Sequence, residues 1–242
     1  MMNSLKDKVV LITGASRGIG FSAAQEFEKE SVKLVLTAKE NLSNLEVFKN
    51  AKIIKLNLTK KEDIDLLIIE TLKAFGRIDI LINNAAFFKQ TDFEKISIDE
   101  LDEMIDIDLK GPFLLLQKVM EQMKKQKSGK IINIASGAGI MGSSKASHYA
   151  ACKAGLISLT KSIAKLGGPY NIKVNAIAPG FIETEMIKDI LLKDKERIEA
   201  FIPLKRIGKA EDVSGLIKFL ASGDSDYITG QTICVDGGHC MV

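Results

Sequence analysis

The chain has no tryptophan, four prolines, three cysteines and two histidines among its 242 residues. Each scarcity removes a class of protein. Cys152, Cys234 and Cys240 are odd in number and show no CxxC pair or Cys/His ligand spacing, so neither a disulfide framework nor a metal site is supported. With so few prolines, no Ser-rich tract and no internal repeat, nothing marks a linker, and one domain over residues 1–242 is expected. No apolar run approaches the ~18 residues of a membrane span, and the opening MMNSLKDKVVLITG lacks a signal-peptide core. An excess of one charge is missing too: 34 Lys and Arg against 31 Asp and Glu leave +3, which calls for no nucleic acid and no membrane as partner. The expected compartment is the reducing cytoplasm.

What is present is a large core, from 46% hydrophobic residues with 27% charged. Apolar runs of strand length recur at 8–13, 32–37, 52–56, 79–82, 130–135, 173–178 and 232–235, continuous rather than alternating, as in strands covered on both faces. Between them lie longer amphipathic stretches, including 18–29, 61–75, 98–124 and 147–166. That βαβ rhythm predicts an α/β fold, a doubly wound, mostly parallel seven-stranded sheet of Rossmann type with helices on both faces. The Lys-rich stretch 124–130 reads as a solvated helix end.

Directly after the first run comes Thr13-Gly14-Ala15-Ser16-Arg17-Gly18-Ile19-Gly20, then helix-forming sequence. Strand, glycine-rich turn and helix in that order let backbone N–H groups and a helix dipole approach a pyrophosphate. The glycines can also serve only a tight turn. No Gly-Lys-Ser/Thr ending follows, which disfavours a nucleoside triphosphate. At the end of the second run stands Lys39, and Arg17 offers a second cation; both suit a ribose 2′-phosphate, so NADP(H) is favoured over NAD(H), although Glu40 follows.

In His148-Tyr149-Ala150-Ala151-Cys152-Lys153, Tyr149 and Lys153 are four apart and share a helix face. An adjacent ammonium stabilises a phenolate and lowers a phenol's pKa from ~10, so the pair can transfer a proton. Ser136, just past the fifth run, can hold a carbonyl oxygen. His148 and Cys152 are turned about 100° from their active neighbours on the helix. His148 is expected at the surface or the substrate rim, and neither residue is a nucleophile candidate.

Together these motifs, with Asn83-Asn84-Ala85, Asn175, Pro179-Gly180, Tyr227-Ile228-Thr229-Gly230-Gln231 and Val235-Asp236-Gly237-Gly238, resemble the short-chain dehydrogenase/reductase family over essentially the whole chain. The phrases 179–184 and 202–213 are most similar to 3-oxoacyl-[acyl-carrier-protein] reductases. The resemblance implies NADP(H)-dependent interconversion of a carbonyl and a secondary alcohol, here reduction of a 3-oxoacyl thioester in fatty-acid metabolism. A sugar, polyol or other secondary-alcohol dehydrogenase, or a dinucleotide-binding protein without turnover, are the alternatives. It implies that Tyr149 is the acid, that Lys153 lowers its pKa and binds the nicotinamide ribose, and that Ser136 orients the carbonyl. Cofactor contacts are implied at Gly14, Ser16, Arg17, Gly18, Ile19, Gly20, Lys39, Asn57, Leu58, Asn83, Ala85, Tyr149, Lys153, Pro179, Gly180, Ile182 and Thr184. A mobile substrate lid over 183–201, an acyl-carrier-protein partner and a homotetramer are implied as well.

Three positions depart from the family pattern. Asp108 stands where Asn normally helps hold a water beside Lys153. As one of the catalytic set it can still accept hydrogen bonds and favours the ammonium, so proton relay is expected to persist with altered pH dependence, unless the family's contribution there is backbone alone. Asn57 replaces an Asp that accepts from the adenine amino group. Lys127 matches one basic position implied to meet the carrier beside the cleft, but Tyr170 occupies another that is typically Arg.

Overall fold

A computed structural model describes residues 5–241; the ends of the expected domain, residues 1–4 and 242, lie outside the described residues. Seven strands form one sheet: β1 (Val9–Ile12), β2 (Lys33–Ala38), β3 (Lys52–Lys55), β4 (Ile80–Asn83), β5 (Gly129–Ile134), β6 (Ile172–Pro179) and β7 (Thr232–Val235), in the order β3-β2-β1-β4-β5-β6-β7. Each lies within one residue of its expected bounds, and every neighbouring pair is parallel.

The continuous apolar runs follow from burial of both faces. Successive side chains alternate between faces. In β1, Val10 and Ile12 pack with Ala23, Ala24 and Phe27 of helix α1 (Gly18–Glu28) and with Val213 and Ile217 of α8 (Ala210–Ala221). Val9 and Leu11 face the other layer, α2 (Lys61–Phe75), α4 (Gly111–Gln126) and α6 (Ser147–Gly167), through Leu67, Val119 and Ile163. Each fully buried side chain of this size contributes about 1.5–3 kcal/mol, an upper figure because unfolded chains are already partly collapsed.

The single helix expected over 98–124 is instead two, α3 (Ile98–Ile105) and α4, joined by a π-helical turn at Asp106–Lys110. Pro112 explains the interruption: it has no N–H to donate, and its ring collides with the carbonyl four residues back. The wider turn carries Asp108 into the interior. Two further helices complete the carboxyl edge, the short α5 (Ala138–Met141) and α7 (Lys188–Phe201).

The chain leaves β3 and returns beside β1 as β4, so connections diverge between those two strands and open a crevice at their carboxyl ends. A buried polar chain ties the layers beneath it. Asn83 donates to Asn133 Oδ1 at 3.2 Å, and Asn133 donates to Thr160 Oγ1 of α6 at 2.9 Å. No helix of the described residues is long and apolar enough to cross a membrane.

Candidate active site at the carboxyl ends of the strands

The turn after β1 and the loop after β4 are fastened to each other. Thr13 Oγ1 accepts the N–H groups of Asn84 (2.9 Å) and Ala85 (3.0 Å), while the Asn84 amide donates to the carbonyls of Thr13 (2.9 Å) and Gly14 (3.0 Å). The approach is so close that a Cβ on Gly14, already at φ +64°, would lie 2.8 Å from Ala85 Cα. Two expected cofactor residues lie off the cleft lining. Gly20 packs under this joint, where a Cβ would meet Asn84 Nδ2 at 2.5 Å, and Asn83 is buried on Asn133 rather than open to the crevice. Asn84, not Asn83, reaches the crevice wall, because adjacent strand residues point to opposite faces.

The crevice is a cleft of about 580 Å³. Gly14, Ser16, Arg17, Gly18 and Ile19 line it from the glycine-rich turn, Lys39 and Glu40 from the end of β2, and Asn57 and Leu58 from the end of β3. Ala85, Ser136, Tyr149 and Lys153 form its middle, and Pro179, Gly180, Ile182 and Thr184 its far wall. No side chain caps α1, leaving its first N–H groups to the cleft. That bare helix start behind a glycine cradle fits a pyrophosphate. Arg17 Nη1 meets Glu185 Oε2 at 2.8 Å across the cleft mouth. Asn57 Oδ1 accepts from both the N–H (3.1 Å) and hydroxyl (3.0 Å) of Thr59, so it is engaged within its own turn.

At the floor, Tyr149 and Ser136 line the same part of the cleft, and the Ser136 hydroxyl accepts the Ala138 N–H at 3.1 Å. Lys153 Nζ lies 5.4 Å from the Tyr149 ring centroid and 2.9 Å from Asp108 Oδ1. Lys153 is 2% and Asp108 0% exposed. Burial pushes the Asp108 carboxyl above the usual carboxylate range, against the pull of the Lys153 ammonium and the Phe87 N–H. Burial alone would lower Lys153, but the Asp108 charge and then Tyr149 outweigh it, and the ammonium is held above its ordinary range. Tyr149 differs from expectation. Lys153 does pull its phenol down, yet burial pushes harder and Asp108 adds to it, so the net direction is up.

His148 is a second correction. It is buried, with Nε2 3.1 Å from Glu100 Oε1, because α3 covers the side of α6 expected to face solvent. Cys152 packs with Met104 and Ala146, and burial drives its thiol up to about 11, which removes it as a nucleophile. Lys127 ends α4 just before β5, and Tyr170 precedes β6 under the Lys124 ammonium, 5.1 Å from the ring centroid. Both therefore stand at the amino ends of the strands, away from this chain's own cleft. Although their spacing shows no ligand pattern, Cys234, Asp236 and Cys240 are folded together with donor atoms within 4.8 Å of one another.

Sequence reasoning expected apolar side chains from the lid segment 183–201, of which Met186, Ile187 and Ile190 do line the cleft, but missed the rest of its apolar half. Phe87, Phe88, Met141, Phe181 and His239 line it with Ile190 of α7, and the Phe88 and Tyr149 rings meet edge to face at 5.0 Å. Helix α7 buries only Ile198 and packs, with Ile202 and Ile207, in a cluster separate from the two cores. Scattered over several loops, these residues form no local motif.

A family model described as "Enoyl-(Acyl carrier protein) reductase" matches residues 14–239. The chain is 41% identical to a 3-oxoacyl-[acyl-carrier-protein] reductase of Synechocystis sp., covering 99% of this chain and 100% of that one. Among solved structures, a short-chain type dehydrogenase/reductase from Mycobacterium marinum superposes with a TM-score of 0.94 at 30% identity, covering 99% of this chain and 98% of that one. ElxO with NADP bound superposes with a TM-score of 0.91 at 30% identity, covering 96% and 98%.

Proposed function

We infer the activity of this chain from its kinship: it belongs to the short-chain dehydrogenase/reductase family. Its reaction is the interconversion of a carbonyl and a secondary alcohol, and we assign as substrate a 3-oxoacyl group in thioester linkage to acyl carrier protein or coenzyme A. The observation that carries this reading is the convergence of Ser136, Tyr149 and Lys153 at the floor of one cleft whose far half is apolar. The relative from Synechocystis supports the substrate class.

In this reading Tyr149 gives its proton to the carbonyl oxygen while the Ser136 hydroxyl donates to the same atom, so both groups stabilise the developing alkoxide more than the carbonyl. A nicotinamide dinucleotide, when bound, supplies the hydride. Lys153 holds the ribose hydroxyls. Gly14, Ser16, Gly18 and Ile19 receive the pyrophosphate side, Leu58 and Asn57 flank the adenine, and Ile182 and Thr184 hold the carboxamide. Lys39 and Arg17 favour the 2′-phosphorylated form of the cofactor, and the bound NADP of ElxO supports that choice. Exposed Ile98, Phe113 and Leu166 on α3, α4 and α6 support a homotetramer.

The test is steady-state oxidation of NADPH and NADH with acetoacetyl-CoA, crotonyl-CoA and a panel of simple ketones and ketoses. Turnover of acetoacetyl-CoA with NADPH is expected. Turnover confined to crotonyl-CoA would make the protein an enoyl reductase, as the matched model's description reads. Turnover confined to ketones or ketoses would make it a general alcohol dehydrogenase, and tight NADPH binding without any turnover a binding protein.

A further inference from the structure

Lys153 carries its ammonium to a place where an opposite charge already stands. Asp108 Oδ1 lies 2.9 Å from Lys153 Nζ with both side chains shut off from solvent, so salt does not screen the pair. Each partner is pinned from a second direction: Asp108 Oδ2 accepts the Phe87 N–H at 2.9 Å, and Lys153 donates to the Ile134 carbonyl at 3.3 Å. The Tyr149 ring centroid is farther from the ammonium, at 5.4 Å. At 2.9 Å the carboxylate is in direct ion-pair contact, and it already compensates the ammonium's charge. A phenolate at Tyr149 would place a second negative charge around one nearly buried cation.

We propose that Asp108 is a positioning residue that holds the Lys153 ammonium as its own counter-ion and so keeps Tyr149 a phenol, setting the site to give protons to carbonyls rather than to take them from alcohols. The inference rests on the reading of the protein as a carbonyl reductase.

The surroundings leave Tyr149 few other influences. Its own helix offers Lys153 and Cys152, the loop after β5 offers Ser136, and the π-helical turn offers Asp108. The loop after β4 adds the uncharged rings of Phe87 and Phe88. Behind them His148 faces Glu100 of α3, and Glu103 of α3 lines the cleft. Burial pushes the phenol up, Lys153 and the Ser136 hydrogen bond pull it down, and Asp108 opposes that pull. Alcohol oxidation needs the phenolate, and each pH unit between the working pH and the phenol's titration leaves about tenfold less of it.

The composition makes this directly readable. With no tryptophan and three tyrosines, the near-ultraviolet absorbance of tyrosinate reports few groups in the cofactor-free protein. The expected result is a transition above the ordinary phenol value of ~10, missing in Tyr149→Phe. Asp108→Asn should lower that transition by about one pH unit or more, and lower by the same amount the midpoint at which kcat/KM for alcohol oxidation rises with pH. A Tyr149 transition at or below ~10, or one unmoved by Asp108→Asn, overturns the proposal. A wild-type transition at or below the ordinary phenol value of ~10, identified against Tyr149→Phe, overturns the proposal even where Asp108→Asn does not fold. Because the titration needs no turnover, failure to reduce any carbonyl would sink the functional reading alone.

Discussion

Lys39 and Arg17 approach the cleft from different loops, one following β2 and one in the glycine-rich turn. A charge-assisted hydrogen bond contributes about 1.5–3 kcal/mol. Lys39→Ala should therefore raise the KM for NADPH about tenfold or more and leave that for NADH nearly unchanged; equal losses with both cofactors would remove Lys39 from the 2′-phosphate. Tyr149→Phe keeps the ring and removes the proton, so kcat should fall about 10²–10⁴-fold while NADPH still binds, which fluorescence titration of the cofactor would check. Ser136, Tyr149 and Lys153 were legible in sequence because their roles need particular residue types at fixed offsets from a strand or within one helix. Asn84 was not, since a one-residue difference in where β4 ends decides which of two adjacent asparagines meets the glycine turn. His148 was misplaced for a related reason: a helical wheel gives its direction, but only the packing of α3 says what lies there.

Helix α8 is held at its start by Asp212, which accepts the Lys209 N–H at 2.7 Å and both terminal nitrogens of Arg206 at 2.6 and 2.9 Å. Those bonds, Arg206 first and the Lys209 N–H next, depress the Asp212 carboxyl to about 2. A carboxylate depressed by folding stabilises the fold above its unfolded pKa of ~3.9, and that stability is lost as pH falls through about 2. With Arg206 half exposed, screening leaves about 1 kcal/mol of it. Asp212→Asn should lower Tm by about 2–4 °C at neutral pH, with the difference shrinking steadily as the pH drops below 5; a gap of constant size would mean that the bonds, not the charge, carry the effect. Among elements, all seven strands were legible because burial of both faces writes a continuous apolar run. The break between α3 and α4 was not, because the amphipathic period continues through it; Gly111-Pro112 was its only mark.

On the scale of the molecule, the buried cluster at the floor of the cleft couples protonation to global stability. Tyr149 is raised by burial, and Lys153 is raised because Asp108 and Tyr149 outweigh its burial, so both hold their protons more tightly folded than unfolded. Their contribution is full below about pH 10 and is lost as pH rises through their folded values. Thermal melts should show stability falling steeply above pH 10, with a shallower fall in Tyr149→Phe; identical slopes would place the alkaline lability elsewhere. The wholly parallel order of the sheet was foreshadowed by the βαβ rhythm, whereas the joining of the β1 and β4 loops depends on distances that sequence spacing does not encode. The Arg17–Glu185 pair spans that same mouth, between the glycine turn and the base of α7. A 2′-phosphate must compete with Glu185 for the guanidinium. Added salt then acts twice, weakening the pull of the cations on the phosphate while loosening the carboxylate that rivals it. Cofactor affinity should accordingly vary less with ionic strength than two unengaged cations would dictate, and Glu185→Gln should restore the steeper dependence.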